Sequence, residues 1–186
     1  MIPSTLRLEN EKILLRPLSE QDFVSLQKLC KNPEMWTWFT QDLSTECGFL
    51  EWAKPAMDGQ RLQFSVVEKT SGELVGSTAF GNFSSQDKRL EIGWTWLGEA
   101  FHGTGINKEM KLLMLDYCFE KLALERVEIK TDVLNLPARY ALKKLGAVEE
   151  GILRSHTLMT KGRRRDTIYY SILPQEWKLI KSQNRI

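Results

Sequence analysis

The stretch from residue 89 to residue 122 constrains the fold more than any other part of the chain. It reads as a strand, RLEIGWTWL, then a loop with two glycines, GTGIN, then an amphipathic helix, NKEMKLLMLDYCFEKL. Glycines at such a turn let the backbone approach a ligand closely, and the free amides of a helix's first turn attract anions. Asn107 is the predicted N-cap of the helix. The segment therefore predicts a phosphate-binding loop at Gly103–Asn107.

Two common nucleotide-binding motifs do not fit this loop. A dinucleotide fingerprint needs a third glycine where Lys108 stands. A nucleoside-triphosphate loop needs a Gly-Lys-Ser/Thr run, which the sequence lacks. The loop therefore predicts a phosphate-containing ligand of another kind.

Length and apolar content predict a single domain, 1–186, whose core covers about 12–175. Lysines and arginines number 26 against 24 acids, a net charge of +2, which argues against a nucleic acid as the main partner. Three scattered cysteines and two histidines argue against disulfides and against a metal site. With no leader and no apolar run long enough to cross a membrane, the sequence predicts a soluble cytoplasmic protein without a membrane partner.

Periodicity and turn residues predict a mixed α/β domain of seven strands and four helices in the order βααβββαβαββ. The predicted strands cover residues 12–18, 63–68, 74–83, 89–97, 126–133, 151–159 and 165–173. The predicted helices cover residues 20–31, 45–57 and 107–122, with a short fourth helix that Asn135 caps and Gly146 ends. The strand–helix–strand unit at the centre is expected to be parallel.

This order and its motifs resemble the GCN5-related N-acetyltransferase (GNAT) superfamily, in particular the branch of ribosomal-protein N-terminal (Rim-type) acetyltransferases. The resemblance covers nearly the whole chain. It rests on the motifs LRPL at 15–18, TSGELVG at 70–76, EIGW at 91–94, GTGIN at 103–107, Asn135, KLG at 144–146, EGILR at 150–154, RDT at 165–167 and EW at 176–177. It implies a GNAT-like fold, a twisted mixed sheet with a cofactor wedge where the fourth and fifth predicted strands splay apart.

The resemblance also implies acetyl-CoA as the co-substrate, with no metal. The loop amides would hold the diphosphate, the fourth strand would pair with the pantetheine arm, and Asn135 would reach that arm. The amide of Leu97 would polarise the thioester carbonyl. His102 could touch phosphate, as could Arg139 and Lys143, for which solvated helix charges are an equal alternative. The implied cofactor contacts are Trp96, Leu97, His102, Gly103, Thr104, Gly105, Ile106, Asn107, Asn135, Arg139 and Lys143.

Acetyl transfer to an amine needs a base for the ammonium and an acid for the leaving thiolate. Glu91 matches the family position of the base, and a solvent-facing glutamate is the alternative. Relatives often place a serine or a tyrosine where this chain has Ala138 and Leu142, so both usual proton donors are missing. Tyr140 is a weak substitute on another face of the helix.

Five side chains are candidates for the acceptor pocket, although core packing is the more ordinary role of the aromatic ones. They are Trp36, Trp38, Phe39, Trp94 and His156. The basic run Lys161–Arg165 is expected to form a solvated hairpin tip. Attraction of an acidic acceptor or of tRNA is the alternative for that run.

The sequence therefore predicts an acetyl-CoA-dependent N-acetyltransferase that works by direct transfer in a ternary complex, without an acyl-enzyme. The acceptor would be a primary amine, either a protein N-terminus or a small molecule such as a polyamine, amino acid or aminoglycoside. A non-catalytic acyl-CoA-binding module is the alternative from another class, and an RNA-associated modification factor is a third. A homodimer is the default expectation for the assembly.

Overall fold

The structure, a computed structural model, describes residues 2–184. Eight strands and five α-helices follow one another in the predicted order, with one strand added at the start and one helix at the end. The strands are β1 Leu8–Glu9, β2 Ile13–Pro17, β3 Leu62–Glu68, β4 Leu74–Ser84, β5 Arg89–Leu97, β6 Arg126–Asp132, β7 Val148–Leu158 and β8 Arg164–Ile172. The helices are α1 Phe23–Leu29, α2 Glu46–Met57, α3 Ile106–Asp116, α4 Leu136–Leu145 and α5 Pro174–Asn184.

All eight strands form one open mixed sheet in the order β1-β2-β3-β4-β5-β6-β8-β7. Only β5 and β6 pair in parallel, and α3 makes the crossover between them. This confirms the predicted mixed α/β fold and its parallel central unit. The sequence prediction of about seven strands missed β1, a pair of residues added to the edge beside β2, and it also missed α5.

The two faces of the sheet are covered by different helices, and each face has its own apolar core. On one face, α3, α4 and α5 pack over the central strands through residues such as Met110, Leu142 and Ile180. On the other face, α1 and α2 enclose a smaller cluster that is rich in tryptophan, including Trp52 and Trp96. The two faces are called here the α3 face and the α1 face.

Helix α3 begins one residue earlier than the sequence predicts, and its N-cap is Gly105. Gly105 has a φ of 93°, a left-handed conformation that glycine adopts without a steric penalty. The prediction that Asn107 is the N-cap is wrong, because Asn107 already lies inside the first turn. A π-helical turn, Tyr117–Lys121, continues α3 toward β6.

No helix among residues 2–184 is long and apolar enough to cross a membrane. In the same part of the chain, no group of three or more His, Cys, Asp and Glu side chains is placed to hold a metal ion.

Candidate active site

The loop between β5 and α3 presents a run of unused backbone amides. Gly103 and Gly105 both have positive φ, 76° and 93°, and a Cβ at either position would meet open space. Within residues 2–184, none of the six consecutive amides from 103 to 108 donates a hydrogen bond to the protein. The first intrahelical bond of α3 is donated by the next amide, that of Glu109, to Gly105 O at 3.1 Å. The loop is thus an anion cradle at a helix N-terminus.

Short contacts fix the shape of this cradle. Thr104 Oγ1 donates to Phe101 O at 2.8 Å, and the amide of Phe101 donates to Gly98 O at 2.9 Å. The ring of His102 bonds through Nε2 to Leu97 O at 2.9 Å, which ties the loop back to the end of β5. His102 therefore braces the loop in this structure, and its contact with phosphate stays a prediction.

A cleft opens beside the last residues of β5. The pairing of β5 with β6 covers only three residue pairs, from Arg89–Arg126 to Glu91–Glu128. Beyond them, β5 carries one extra residue relative to β4, and Trp94 has a φ of 49°. Such a bulge bends the strand that carries it. The two strands consequently separate, as the predicted wedge requires.

The backbone of Leu97 faces this cleft. Gly98 donates its amide to Val75 O at 2.9 Å, so the next residue toward the N-terminus has its amide and carbonyl directed away from β4. The N–H of Leu97 is therefore available to a ligand between β5 and β6, while its carbonyl accepts from His102. The side chain of Trp96 lies on the α1 face of the sheet, in the apolar core there.

Glu91 lies on the α1 face of β5 and is only 3% exposed. Its Oε2 accepts hydrogen bonds from Asn82 Nδ2 at 2.7 Å and from Lys130 Nζ at 2.9 Å. The alternative of a solvent-facing glutamate is wrong. No protein hydrogen bond to Oε1 is present among the described residues, so this oxygen is available to a ligand or a water.

Helix α4 places Asn135 and Arg139 at the far side of the cleft. Asn135 Oδ1 caps the helix by accepting from the amide of Ala138 at 3.2 Å, which leaves its Nδ2 for a ligand. Arg139 donates to Val133 O at 2.9 Å and to Tyr170 Oη at 3.3 Å, so it is already engaged with the protein. Lys143 is exposed.

Comparison with known proteins identifies this arrangement. The family model described as an acetyltransferase (GNAT) domain matches residues 12–148. The chain belongs to the GNAT acetyltransferase family. It is therefore an N-acetyltransferase, and the GNAT family uses acetyl-CoA as its co-substrate.

Individual relatives agree with the family. YdaF of Bacillus subtilis (strain 168), provisionally named a ribosomal N-acetyltransferase, is 30% identical over 91% of this chain and 95% of its own length. The N-acetyltransferase p20 of Bacillus licheniformis, named as uncharacterised, is 29% identical over 91% of this chain and 97% of its own. A GCN5-related N-acetyltransferase structure from Brucella melitensis superimposes with a TM-score of 0.90 at 28% identity, covering 98% of this chain and 85% of that one.

The predicted acceptor residues of this acetyltransferase do not share one environment. Trp36 is 1% exposed and donates through Nε1 to Cys30 O, and Phe39 packs against its ring, so both support the α1-face core. Trp94 lies against Gly81 with the Arg61 guanidinium 4.8 Å from its ring centre. Their role in binding an acceptor stays a prediction.

Trp38 and His156 lie beside the polar face of β6 and β8. The ring centre of Trp38 is 5.7 Å from the Arg163 guanidinium. His156 Nδ1 is 3.0 Å from Thr167 Oγ1, and the imidazole contacts Tyr169 edge to face. Of the predicted acceptor residues, these two are therefore the ones that lie next to polar and charged side chains.

Several charged residues of this acetyltransferase were not recognised from the sequence. On the α1 face, Lys130 and Asp132 of β6 lie next to Arg163 and Arg165, close to Glu91. The prediction of a solvated hairpin tip is wrong for Arg165, which is 8% exposed. The alternation of charge in the strand VEIKTD was the available signal for a polar face of β6.

On the α3 face, one buried lysine lies beneath β5. Lys111 is 6% exposed, and its Nζ donates to Thr95 Oγ1 at 2.7 Å. Thr95 Oγ1 is in turn 2.8 Å from Thr78 Oγ1. Burial lowers the pKa of Lys111 to about 7, since no carboxylate among the described residues pairs with it.

Proposed function

We propose that this acetyltransferase uses acetyl-CoA to acetylate a primary amine, by direct transfer in a ternary complex. The observation that carries the proposal is the row of six free amides at residues 103–108, placed at the end of a cleft between two separated parallel strands. A diphosphate fits such a row, because backbone amides and a helix N-terminus both attract anions. Acetyl-CoA would supply an acyl group already activated as a thioester.

The proposed cofactor contacts follow the cleft from the loop inward. The amides of Gly103–Asn107 would hold the diphosphate, and the Leu97 amide would donate to the thioester carbonyl and stabilise negative charge there. Asn135 Nδ2 would donate to the pantetheine arm. Asn107 Oδ1 is enclosed and has no hydrogen-bond partner within residues 2–184, and a ligand N–H would satisfy it. Contacts of Trp96, His102, Arg139 and Lys143 with the cofactor stay predictions.

Glu91 is the proposed base. An acceptor ammonium must lose one proton before its nitrogen can attack, and Oε1 of Glu91 is free to take it directly or through a water. The new N–C bond then forms as the C–S bond breaks, and the second amine proton is lost as the thiolate gains one. Overall, the ammonium and the thioester are converted into an amide and a free thiol, and one proton leaves to solvent.

The proton for the sulfur has no side-chain donor on α4 that faces inward. Leu142 is buried and carries no hydroxyl, and the Tyr140 side chain is 70% exposed. We propose that water protonates the thiolate, with Tyr140 as the weaker candidate. This gap also motivates the second function, a module that binds acyl-CoA without turnover.

The decisive experiment follows free-thiol release from acetyl-CoA with a panel of amines and N-terminal peptides, and measures CoA binding by calorimetry on the same sample. Turnover with any amine supports the enzyme. Binding without turnover across the panel favours the binding module, and absence of CoA binding refutes both. A reducing, cytoplasmic setting and a homodimer are part of the proposal, and light scattering tests the latter.

Replacing Glu91 tests the base. We expect Glu91→Gln to keep CoA affinity and to lower kcat by roughly 100-fold or more, with the loss greatest at low pH. Glu128→Gln is the matched control, because Glu128 pairs with Glu91 across the strands and forms partly buried ion pairs with Arg89 and Arg126. Unchanged turnover in Glu91→Gln would remove this carboxylate from the mechanism.

A further inference from the structure

Arg165 is a buried cation with no ion-pair partner in the part of the chain that the structure describes. Its side chain is 8% exposed, and its only hydrogen bond there runs from Nε to Thr167 Oγ1 at 2.9 Å. The two terminal nitrogens of the Arg165 guanidinium are not among the fully enclosed polar atoms that lack a hydrogen-bond partner. They therefore keep access to solvent. Buried arginines are nearly always paired, because an uncompensated charge is costly to desolvate.

The nearby carboxylates are already engaged. Asp132 is fully buried, where it forms an ion pair with Arg163 and accepts the amide of Leu134 at 2.9 Å. Glu91 is bound by Lys130, as described above. Three cations therefore face two carboxylates, and Arg165 is the one that remains uncompensated.

This surplus charge lies where an acceptor has to enter. Thr167, the residue bonded to Arg165, pairs with Asp132 at the last residue of β6, beyond the point where β6 has separated from β5. Burial lowers the pKa of Arg165, while Asp132 and Glu91 act to raise it, so the guanidinium and the proposed base share one electrostatic environment. Trp38, through its contact with Arg163, borders the same cluster.

Building on the proposed acetyl transfer, we infer that Arg165 binds a carboxylate of the acceptor, which is therefore an amine that carries a carboxylate near its amino group. A guanidinium can donate two parallel hydrogen bonds to one carboxylate, which fixes the amine's position relative to Glu91. The surplus positive charge disfavours polyamines, which would bring further cations into the cluster.

Matched acceptors test this inference and separate its two sources. One arm compares free amino acids with their α-amides, and the other compares peptides that differ only by Asp or Asn at the second position. In one of these arms we expect a preference for the carboxylate of roughly 10- to 100-fold in kcat/KM. Equal kcat/KM for carboxylate and amide in both arms would overturn the inference, as would a polyamine as the preferred acceptor.

Variants at two adjacent arginines locate the effect. Arg165→Met should abolish the preference, chiefly by raising KM for the carboxylate, and Arg165→Lys should retain part of it because the charge stays but the planar fork is lost. Arg164→Met is the matched control, since Arg164 is exposed and bonds to Ser155 on the other side of the strand. A preference that survives in Arg165→Met, or disappears equally in Arg164→Met, would refute the assignment.

Binding separates this inference from the proposed function. Calorimetry of the CoA-saturated protein with the same carboxylate and amide pairs reads the anion site without turnover. If no amine is acetylated but carboxylates still bind more tightly and lose that advantage in Arg165→Met, acetyl transfer fails while the anion site stands. If amines are acetylated and no carboxylate preference exists in rate or binding, the anion site alone fails.

Discussion

Replacing Lys111 with methionine should stabilise this protein, and the gain should depend on pH. Lys111 is enclosed on α3 with a hydroxyl as its only hydrogen-bond partner among the described residues, and burial lowers its pKa from 10.5 to about 7. In the unfolded chain the same lysine has its ordinary pKa and is protonated at neutral pH. Folding at neutral pH therefore requires either that Lys111 loses its proton or that its charged ammonium is buried, and both cost free energy.

The size of the effect follows from the two pKa values. Stability rises with pH wherever the unfolded chain binds more protons, which for Lys111 is the interval between about pH 7 and 10.5. The penalty is about 4 kcal/mol at pH 7 and about 1 kcal/mol at pH 9.5. Methionine has a similar length and loses one hydrogen bond to Thr95, which costs about 1 kcal/mol. The net gain is thus about 3 kcal/mol at pH 7 and near zero at pH 9.5.

Urea unfolding of the two proteins at both pH values measures this difference directly. The exposed Lys178→Met, on α5, is the control for adding methionine and removing a charge. It should shift the free energy of unfolding by less than about 0.5 kcal/mol at either pH. If Lys111→Met gives the same gain at pH 7 and pH 9.5, or a loss at pH 7, then Lys111 has its ordinary pKa in the folded protein and the reasoning fails.

Three further outcomes are expected. Gly105→Ala should weaken CoA binding by roughly tenfold in calorimetry. An alanine at a φ of 93° is strained by about 1–2 kcal/mol, and relief of this strain would change the direction of the loop amides. Gly59→Ala is the control and should leave CoA affinity unchanged, because Gly59 also has a positive φ and lies in open space. Asp22→Asn should destabilise the fold by about 3 kcal/mol at pH 7 in urea unfolding, because it breaks the bidentate pair with Arg16. Burial acts to raise the pKa of Asp22, but its hydrogen bonds lower the pKa overall. The loss of stability in Asp22→Asn should therefore become smaller as the pH falls below about 4. A loss that does not change with pH would contradict an ion pair between Asp22 and Arg16. An aromatic disulfide reagent should modify one thiol per native chain, that of the exposed Cys47, because the other two thiols are buried. Rapid modification of two or more thiols per chain would contradict that burial.

The sequence predicted best what local patterns determine. The apolar period of α3, the glycines before it, and the cap and stop residues of α4 all act within a few residues of one another, and these elements are where the patterns placed them. Errors were local too. β1 has only two residues, too few for an alternation to show, and Asn107 was preferred as a cap because a left-handed Gly105 cannot be recognised from residue type alone.

The charged groups of the site were hidden because their partners are distant in sequence. Glu91 and Lys130 are 39 residues apart, and Arg163 and Asp132 are 31 apart. The basic run Lys161–Arg165, which extends into β8, looked uniformly solvated, but neighbouring residues of a pleated strand point to opposite faces. Arg165 is consequently buried although its neighbour Arg164 is exposed, and the number of charges in the run could not distinguish the two residues.

A single backbone irregularity in β5 accounts for much of the site. Leu90 and Ile92 face the α3 side, and strict alternation would bring Trp96 to that side as well. The extra residue at Trp94 reverses the parity, so that Trp96 enters the α1-face core and Thr95 meets Lys111 instead. The same bulge turns the end of β5 away from β6 while Glu91, which precedes it, stays in register with the paired part of the sheet. The cleft and the position of the proposed base are thus set by the backbone, and the side chains around Arg165 are the proposed determinants of which amine enters.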